Sequence, residues 1–217
     1  MVRIKICGIT RPEDAVLALE AGADAIGLVF ARSPRQVTLR QARRIVEAIP
    51  PFSFVVGVFV NARPATVLRT IEAVGLSAVQ LHGDESTDQL ARLQGVRLIK
   101  ALRVRDGRFL DMLRRYRDAG VSAILLDAFS KEARGGSGRR FDWDLVTGAR
   151  EGGAMDDLPP LILAGGLTPQ NVAAGIRKVR PWGVDVSSGV EDEPGVKSAE
   201  KIARFIAAVR AAGAGAR

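Results

Sequence analysis

Apolar positions along the chain change their period repeatedly, from two in short runs to between three and four in the segments that follow. The short, β-rich runs fall near Arg3 to Cys7, Ala25 to Phe30, Phe54 to Val60, Ala78 to His82, Leu98 to Leu102, Ala123 to Asp127, Leu161 to Ala164 and Val184 to Ser187. Helical patterns follow each of them, from Pro12, Leu39, Pro64, Thr87, Phe109, Asp144, Pro169 and Ser198. Eight strand–helix pairs predict an α/β fold, a single-domain (β/α)₈ TIM barrel with a parallel eight-stranded sheet, because a closed ring leaves no edge strand to protect. A doubly wound open sheet is the second reading.

Glycines punctuate the alternation. Gly22, Gly75 and Gly120 each stand where a helical pattern stops and the next strand begins, the place of a C-cap glycine. The longest stretch without periodicity runs from Phe129 to Trp143, directly after the sixth strand, and loops of that length in a compact barrel usually carry function. The barrel is expected over residues 1–211, with 212–217, rich in small residues, as a flexible tail.

Composition narrows the class. A chain of 217 residues with 47% apolar side chains can fill one large core. The single cysteine rules out an internal disulfide, and no apolar run resembles a membrane span or signal segment, so a cytoplasmic protein is expected. The net charge of +8 admits nucleic acid as a partner, but aromatics are only 5% and no base-stacking or finger motif accompanies them. The excess arginine lies on helical patterns, as at Arg43, Arg44, Arg114 and Arg115, and reads as solvated surface. We therefore expect a small phosphorylated substrate, no nucleic acid and no membrane, with a homodimer left open. No metal-ligand spacing and no nucleotide fingerprint is present, so neither metal nor cofactor is expected.

In such barrels the C-terminal strand ends form the catalytic face. Cys7 ends the first strand and shares a face with Lys5, roughly 7 Å away along the strand. An ammonium there would favour the thiolate, although Lys5 can equally serve a structural ion pair with Asp185 of the eighth strand. The sixth strand is an apolar run closing on Asp127, which suits an acid or base and also suits a cap or loop salt bridge. Gln80 and the only histidine, His82, share a face of the fourth strand. In the second loop Arg32 and Arg35 are both placed to grip a carboxylate or phosphate. Two glycine-bearing turns follow the seventh and eighth strands, Gly165 with Gly166 and Ser187-Ser188 with Gly189, where backbone N–H groups bind phosphate in many (β/α)₈ enzymes. Thr168 and Pro169 are expected to cap and open the seventh helix.

The segments KICGIT, AIGLVF, SPRQV, VGVFVN, VQLHG, LLDAF, GGSG, LAGGL and VDVSSGVE occur in an order that resembles the phosphoribosylanthranilate isomerase family over nearly the whole chain. The resemblance implies a (β/α)₈ barrel that performs an Amadori rearrangement without a cofactor. It matches the family's catalytic cysteine to Cys7, its catalytic aspartate to Asp127 and its anthranilate-binding arginine to Arg35. On this reading protonated Asp127 opens the ribose ring and the Cys7 thiolate removes the C2 proton. His82, Lys5 and Asp185 join Arg35 as expected substrate-binding residues. Gly136 of the sixth loop joins the phosphate-binding set, although Gly135-Gly136-Ser137-Gly138 departs from the frequent Gly-Gly-Thr-Gly. The nearest alternative is the histidine-pathway ProFAR isomerase, whose family has an aspartate at the position of Cys7. A non-catalytic phosphate-ligand barrel would keep the glycine turns and leave Cys7 and Asp127 without a role.

Overall fold

The computed structural model describes residues 1–128 and 141–214. Eight parallel strands close into a barrel in sequence order: β1 (Arg3–Cys7), β2 (Ala25–Val29), β3 (Phe54–Phe59), β4 (Ala78–Leu81), β5 (Leu98–Val104), β6 (Ala123–Ala128), β7 (Leu161–Leu163) and β8 (Gly183–Val186). β1 pairs with both β2 and β8, which closes the ring and excludes the open-sheet alternative. The helices are α1 (Pro12–Glu20), α2 (Leu39–Ala48), α3 (Pro64–Val74), α4 (Thr87–Ala91), α5 (Phe109–Asp118), α6 (Asp144–Glu151), α7 (Val172–Val179) and α8 (Ala199–Ala214). The last of these continues into the segment read as a tail.

Period two sorts each strand's side chains between two cores. Ile4 and Ile6 of β1, Ile124 and Leu126 of β6, and Val184 and Val186 of β8 face the helices and join the large outer core. Val56, Ala78, Ile99, Ala101, Ala123, Leu125, Ile162 and Ala164 fill the smaller core inside the ring. The alternate positions of β1, β4, β6 and β8 therefore carry Lys5, Cys7, Gln80, Asp127 and Asp185 inward. Parallel strands covered on both faces can hold these polar groups only if they are paired or line a cavity.

Local signals place the helices. Thr38 and Gln41 form a capping box on α2, and Ser86 and Gln89 form another on α4. Proline occupies the first turn of α1 and α3, where its missing N–H costs nothing. Gly75 closes α3 in the left-handed conformation at φ 75°. The seventh helix departs from expectation, since it begins at Val172 and not at Pro169. Asn171 takes over the turn: its Oδ1 accepts from Thr168 N at 2.9 Å and its Nδ2 donates to Gly166 O at 2.8 Å. The segment after β8 is a 3₁₀ turn over Ser188–Val190 followed by a small antiparallel hairpin, β9 (Glu191–Glu193) with β10 (Val196–Lys197), which periodicity did not predict. Among the described residues no helix is long and apolar enough to cross a membrane.

Candidate active site

A cavity of about 1060 Å³ opens at the C-terminal ends of the strands. Its lining includes Cys7, Arg32, Arg35, Gln80, His82, Asp127, Gly165, Gly166, Asp185, Ser187, Ser188 and Gly189. Almost every candidate drawn from separate stretches of sequence thus converges on one cleft. Two do not. Lys5 lies outside the lining, and Gly136 lies outside the described residues.

Lys5 lies one layer beneath Cys7 on the inner face of β1. Its Nζ donates to Asp185 Oδ1 at 2.8 Å, across strands whose register sets Lys5 opposite Asp185. Burial opposes the charge on Lys5, but Asp185 and Cys7 more than offset it and hold its pKa above the ordinary lysine value. Lys5 acts on Cys7 in the expected direction, towards the thiolate, but does not outweigh burial. Burial pushes the Cys7 thiol upward, Lys5 pulls it down, and Asp185 adds to the upward push, so that the net displacement is upward in the substrate-free cleft. The physical reason is that burial removes the water that would solvate a thiolate, while Asp185 opposes part of the pull of Lys5.

Cys7 points into the cleft from the end of β1, and Gly8 follows it at φ 75°. A side chain on Gly8 would collide with the Arg35 side chain and come within 2.8 Å of Ser187 Oγ. Only glycine lets Arg35 cross the end of β1. Across the ring, Asp127 Oδ1 accepts from Ala128 N at 2.8 Å. Its other oxygen, Oδ2, faces His82 Nε2 at 3.1 Å without a formed hydrogen bond. On its far side the ring is held by Gln80, whose Nε2 lies 3.1 Å from His82 Nδ1. His82 Nε2 and Gln80 Oε1 are buried polar atoms with no hydrogen-bond partner among the described residues. Gly165 packs directly against this corner, since a Cβ there would lie 3.0 Å from Asp127 Oδ1.

The two glycine turns meet beside this corner. Gly165 and Gly166 adopt φ values of 83° and 62°, and a Cβ on Gly189 would strike the Leu167 carbonyl. The loops after β7 and β8 therefore touch through backbone, which brings the residues of both turns to one end of the cleft.

Arg35 is 9% exposed and does not project freely into the cleft. Its Nε and Nη2 donate to Glu191 Oε1 and Oε2 at 2.8 and 2.7 Å. Lys197 Nζ donates to the same Oε1 at 2.7 Å and to Ser187 O at 3.2 Å. Burial opposes ionisation of Glu191, but Arg35 and Lys197 outweigh it and keep the carboxyl below its usual range. Sequence reasoning missed Glu191 and Lys197. Glu191 closes the VDVSSGVE segment, but only the fold reveals a partner 156 residues away.

The chain as a whole is similar to proteins of one family. The family described as N-(5'-phosphoribosyl)anthranilate (PRA) isomerase matches residues 4–208. An N-(5'-phosphoribosyl)anthranilate isomerase of Pelobacter propionicus is 52% identical over 207 residues, 95% of this chain and 94% of the relative. A phosphoribosyl anthranilate isomerase solved with reduced 1-(o-carboxyphenylamino)-1-deoxyribulose 5-phosphate superposes with a TM-score of 0.85 at 42% identity, covering 97% of this chain and all of that one. Monomers generated from the dimeric phosphoribosylanthranilate isomerase of Thermotoga maritima give a TM-score of 0.85 at 40% identity, with 97% of this chain and 100% of that chain covered.

Proposed function

The chain belongs to the N-(5'-phosphoribosyl)anthranilate isomerase family, and we propose that Cys7 and Asp127 carry the two proton transfers of its reaction. It is an intramolecular aldose–ketose isomerase that converts N-(5'-phosphoribosyl)anthranilate into 1-(2-carboxyphenylamino)-1-deoxyribulose 5-phosphate by an Amadori rearrangement. The observation that carries the assignment is the shared cleft: a thiol at the end of β1 and a carboxyl at the end of β6, three strands apart around the ring, both bordering the same cavity.

Asp127, as the acid, gives its proton to the ribose ring oxygen while the C1–O bond breaks and the anilino nitrogen becomes an iminium. The Cys7 thiolate then takes the C2 proton. The C–H electron pair forms the C1–C2 double bond, and the iminium nitrogen accepts the displaced π pair to give an enolamine. Tautomerisation moves the enol proton to C1 and leaves the ketone at C2. The order of steps compensates for the raised Cys7 pKa, because the iminium formed first is a cation beside the thiol and favours its ionised form. Thiol chemistry here is basic, with no covalent bond to substrate.

Binding divides between the two ends of the cleft. The glycine turns at Gly165-Gly166 and Ser187-Ser188-Gly189 take the phosphate, and Arg35 takes the anthranilate carboxylate; Gly136, expected to join the phosphate contacts, lies outside the described residues. His82 contacts the reacting sugar beside Asp127, while Asp185 and Lys5 support the Cys7 side from below. A homodimer, in keeping with the dimeric Thermotoga maritima relative, and a cytoplasmic location complete the reading. Loss of anthranilate fluorescence on incubation with freshly generated phosphoribosylanthranilate tests the activity. Turnover by purified protein is expected, and unchanged fluorescence would refute it.

A further inference from the structure

Arg35, Glu191 and Lys197 form a buried chain of two cations on one carboxylate that joins the second loop to the hairpin after β8. We infer that Glu191, backed by Lys197, is a positioning residue that aims Arg35 at the substrate carboxylate and so determines how tightly the anthranilate end is held. The inference rests on the reading of Arg35 as the anthranilate contact.

A guanidinium presents two planar edges to carboxylates. Glu191 takes the side edge of Arg35, made by Nε and Nη2, with both oxygens engaged. The end edge, made by Nη1 and the second N–H of Nη2, has no hydrogen-bond partner among the described residues and can still grip a carboxylate with two bonds. Without Glu191 the long arginine side chain would have several rotamers from which that edge points elsewhere. Holding the side edge removes those rotamers before substrate arrives, which is where the affinity gain from preorganisation comes from.

The carboxylate is itself fastened. Glu191 and Lys197 are 8% and 4% exposed. The hairpin that bears them is tied to the barrel by Lys197 N on Asp14 Oδ2 at 3.1 Å, by Lys201 Nζ on Glu191 O at 2.6 Å and by Thr10 Oγ1 on Gly195 O. Lys197 also holds the Ser187 carbonyl in the phosphate turn, so one buried carboxylate fixes the relation between the two anion-binding ends. The local charge is two positive and one negative, which leaves a net attraction for an anionic substrate.

A double-mutant cycle tests this on the purified enzyme with phosphoribosylanthranilate. Glu191→Gln is expected to raise KM about tenfold with a smaller change in kcat, and Glu191→Gln added to Arg35→Met is expected to cost nothing further, because two residues acting through one contact are non-additive. Competitive inhibition by inorganic phosphate should be no weaker than in the parent, which separates misaimed Arg35 from a disordered phosphate turn. Multiplying losses in the double variant, or an unchanged KM for Glu191→Gln beside a raised KM for Arg35→Met, would overturn the role of Glu191 alone. An unchanged KM for Arg35→Met would overturn the reading of Arg35 and this inference with it. If Glu191→Gln leaves two buried cations and fails to fold, Glu191→Gln/Lys197→Met, which removes one charge of each sign, takes its place in the cycle with the same expected outcomes.

Discussion

His82 Nε2 stands 3.1 Å from Asp127 Oδ2, facing the carboxyl oxygen that the Ala128 N–H leaves unengaged. The geometry gives Asp127 one fixed oxygen and one oxygen directed at an imidazole whose far nitrogen is held by Gln80. The Gln80 Nε2 group can only donate, so His82 Nδ1 accepts from it and the ring directs its Nε2–H at Asp127 Oδ2.

Replacing His82 by Leu should lower kcat by about tenfold to a hundredfold, because His82 Nε2–H is expected to close a hydrogen bond on Asp127 Oδ2 as the acid ionises and such a bond to a charged group is worth roughly 1.5–3 kcal/mol, while KM changes less. Steady-state kinetics decide it. A raised KM with unchanged kcat would make His82 a simple binding contact.

Lys5 and Asp185 are a buried pair inside the barrel, with side chains 6% and 10% exposed. Lys5→Met should destabilise the protein by about 3–5 kcal/mol, because it leaves Asp185 buried without its partner. Lys5→Met/Asp185→Asn should recover most of that loss. Urea midpoints of the single and double variants check both statements, and equal losses in the two would show that the pair contributes little through its charges.

The Cys7 thiol is displaced upward by burial, with Lys5 working in the opposite direction. In the substrate-free enzyme, alkylation of Cys7 by iodoacetamide should therefore rise with pH through a midpoint above the ordinary thiol value of about 8.5. Lys5→Met should move that midpoint higher still. A midpoint below the ordinary value would show that Lys5 outweighs burial.

Glu191 is held below the usual carboxyl range because Arg35 and Lys197 outweigh its burial. The unfolded chain then binds a proton at Glu191 more readily than the folded one. The stability this group contributes is complete above the unfolded value of about 4.3 and is lost as pH falls through the lower folded value. The stability gap between parent and Glu191→Gln, measured by urea unfolding, should be widest near neutral pH and shrink from about pH 4 downward. A gap that stays constant would show that Glu191 is not charged in the folded protein.

Much of this was legible in the sequence because barrel strands write their environment in period two. Lys5 with Cys7 and Gln80 with His82 share strand faces in the sequence itself, and the apolar run of the sixth strand marks Asp127 as its end. The ion pair of Lys5 with Asp185 followed from the same alternation. Its consequence for Cys7 did not, because a thiol pKa is a balance of burial and opposing charges that spacing alone cannot weigh. The start of α7 was misplaced because Thr168-Pro169 is a strong opening signal, yet the Asn171 side chain closes a turn there first. Glu191 and Lys197 went unnoticed because their importance lies in a contact between the second loop and the last hairpin, and no periodicity connects them.

The central claim is that Cys7 and Asp127 are base and acid in one cleft. The most direct measurement is kcat for Cys7→Ala and Asp127→Asn alongside the affinity of each for the reduced product analogue. Both variants should lose about 10²-fold or more in kcat, the usual worth of a general acid or base, while binding the analogue nearly as well as the parent. Near-normal kcat in either variant would contradict the assignment.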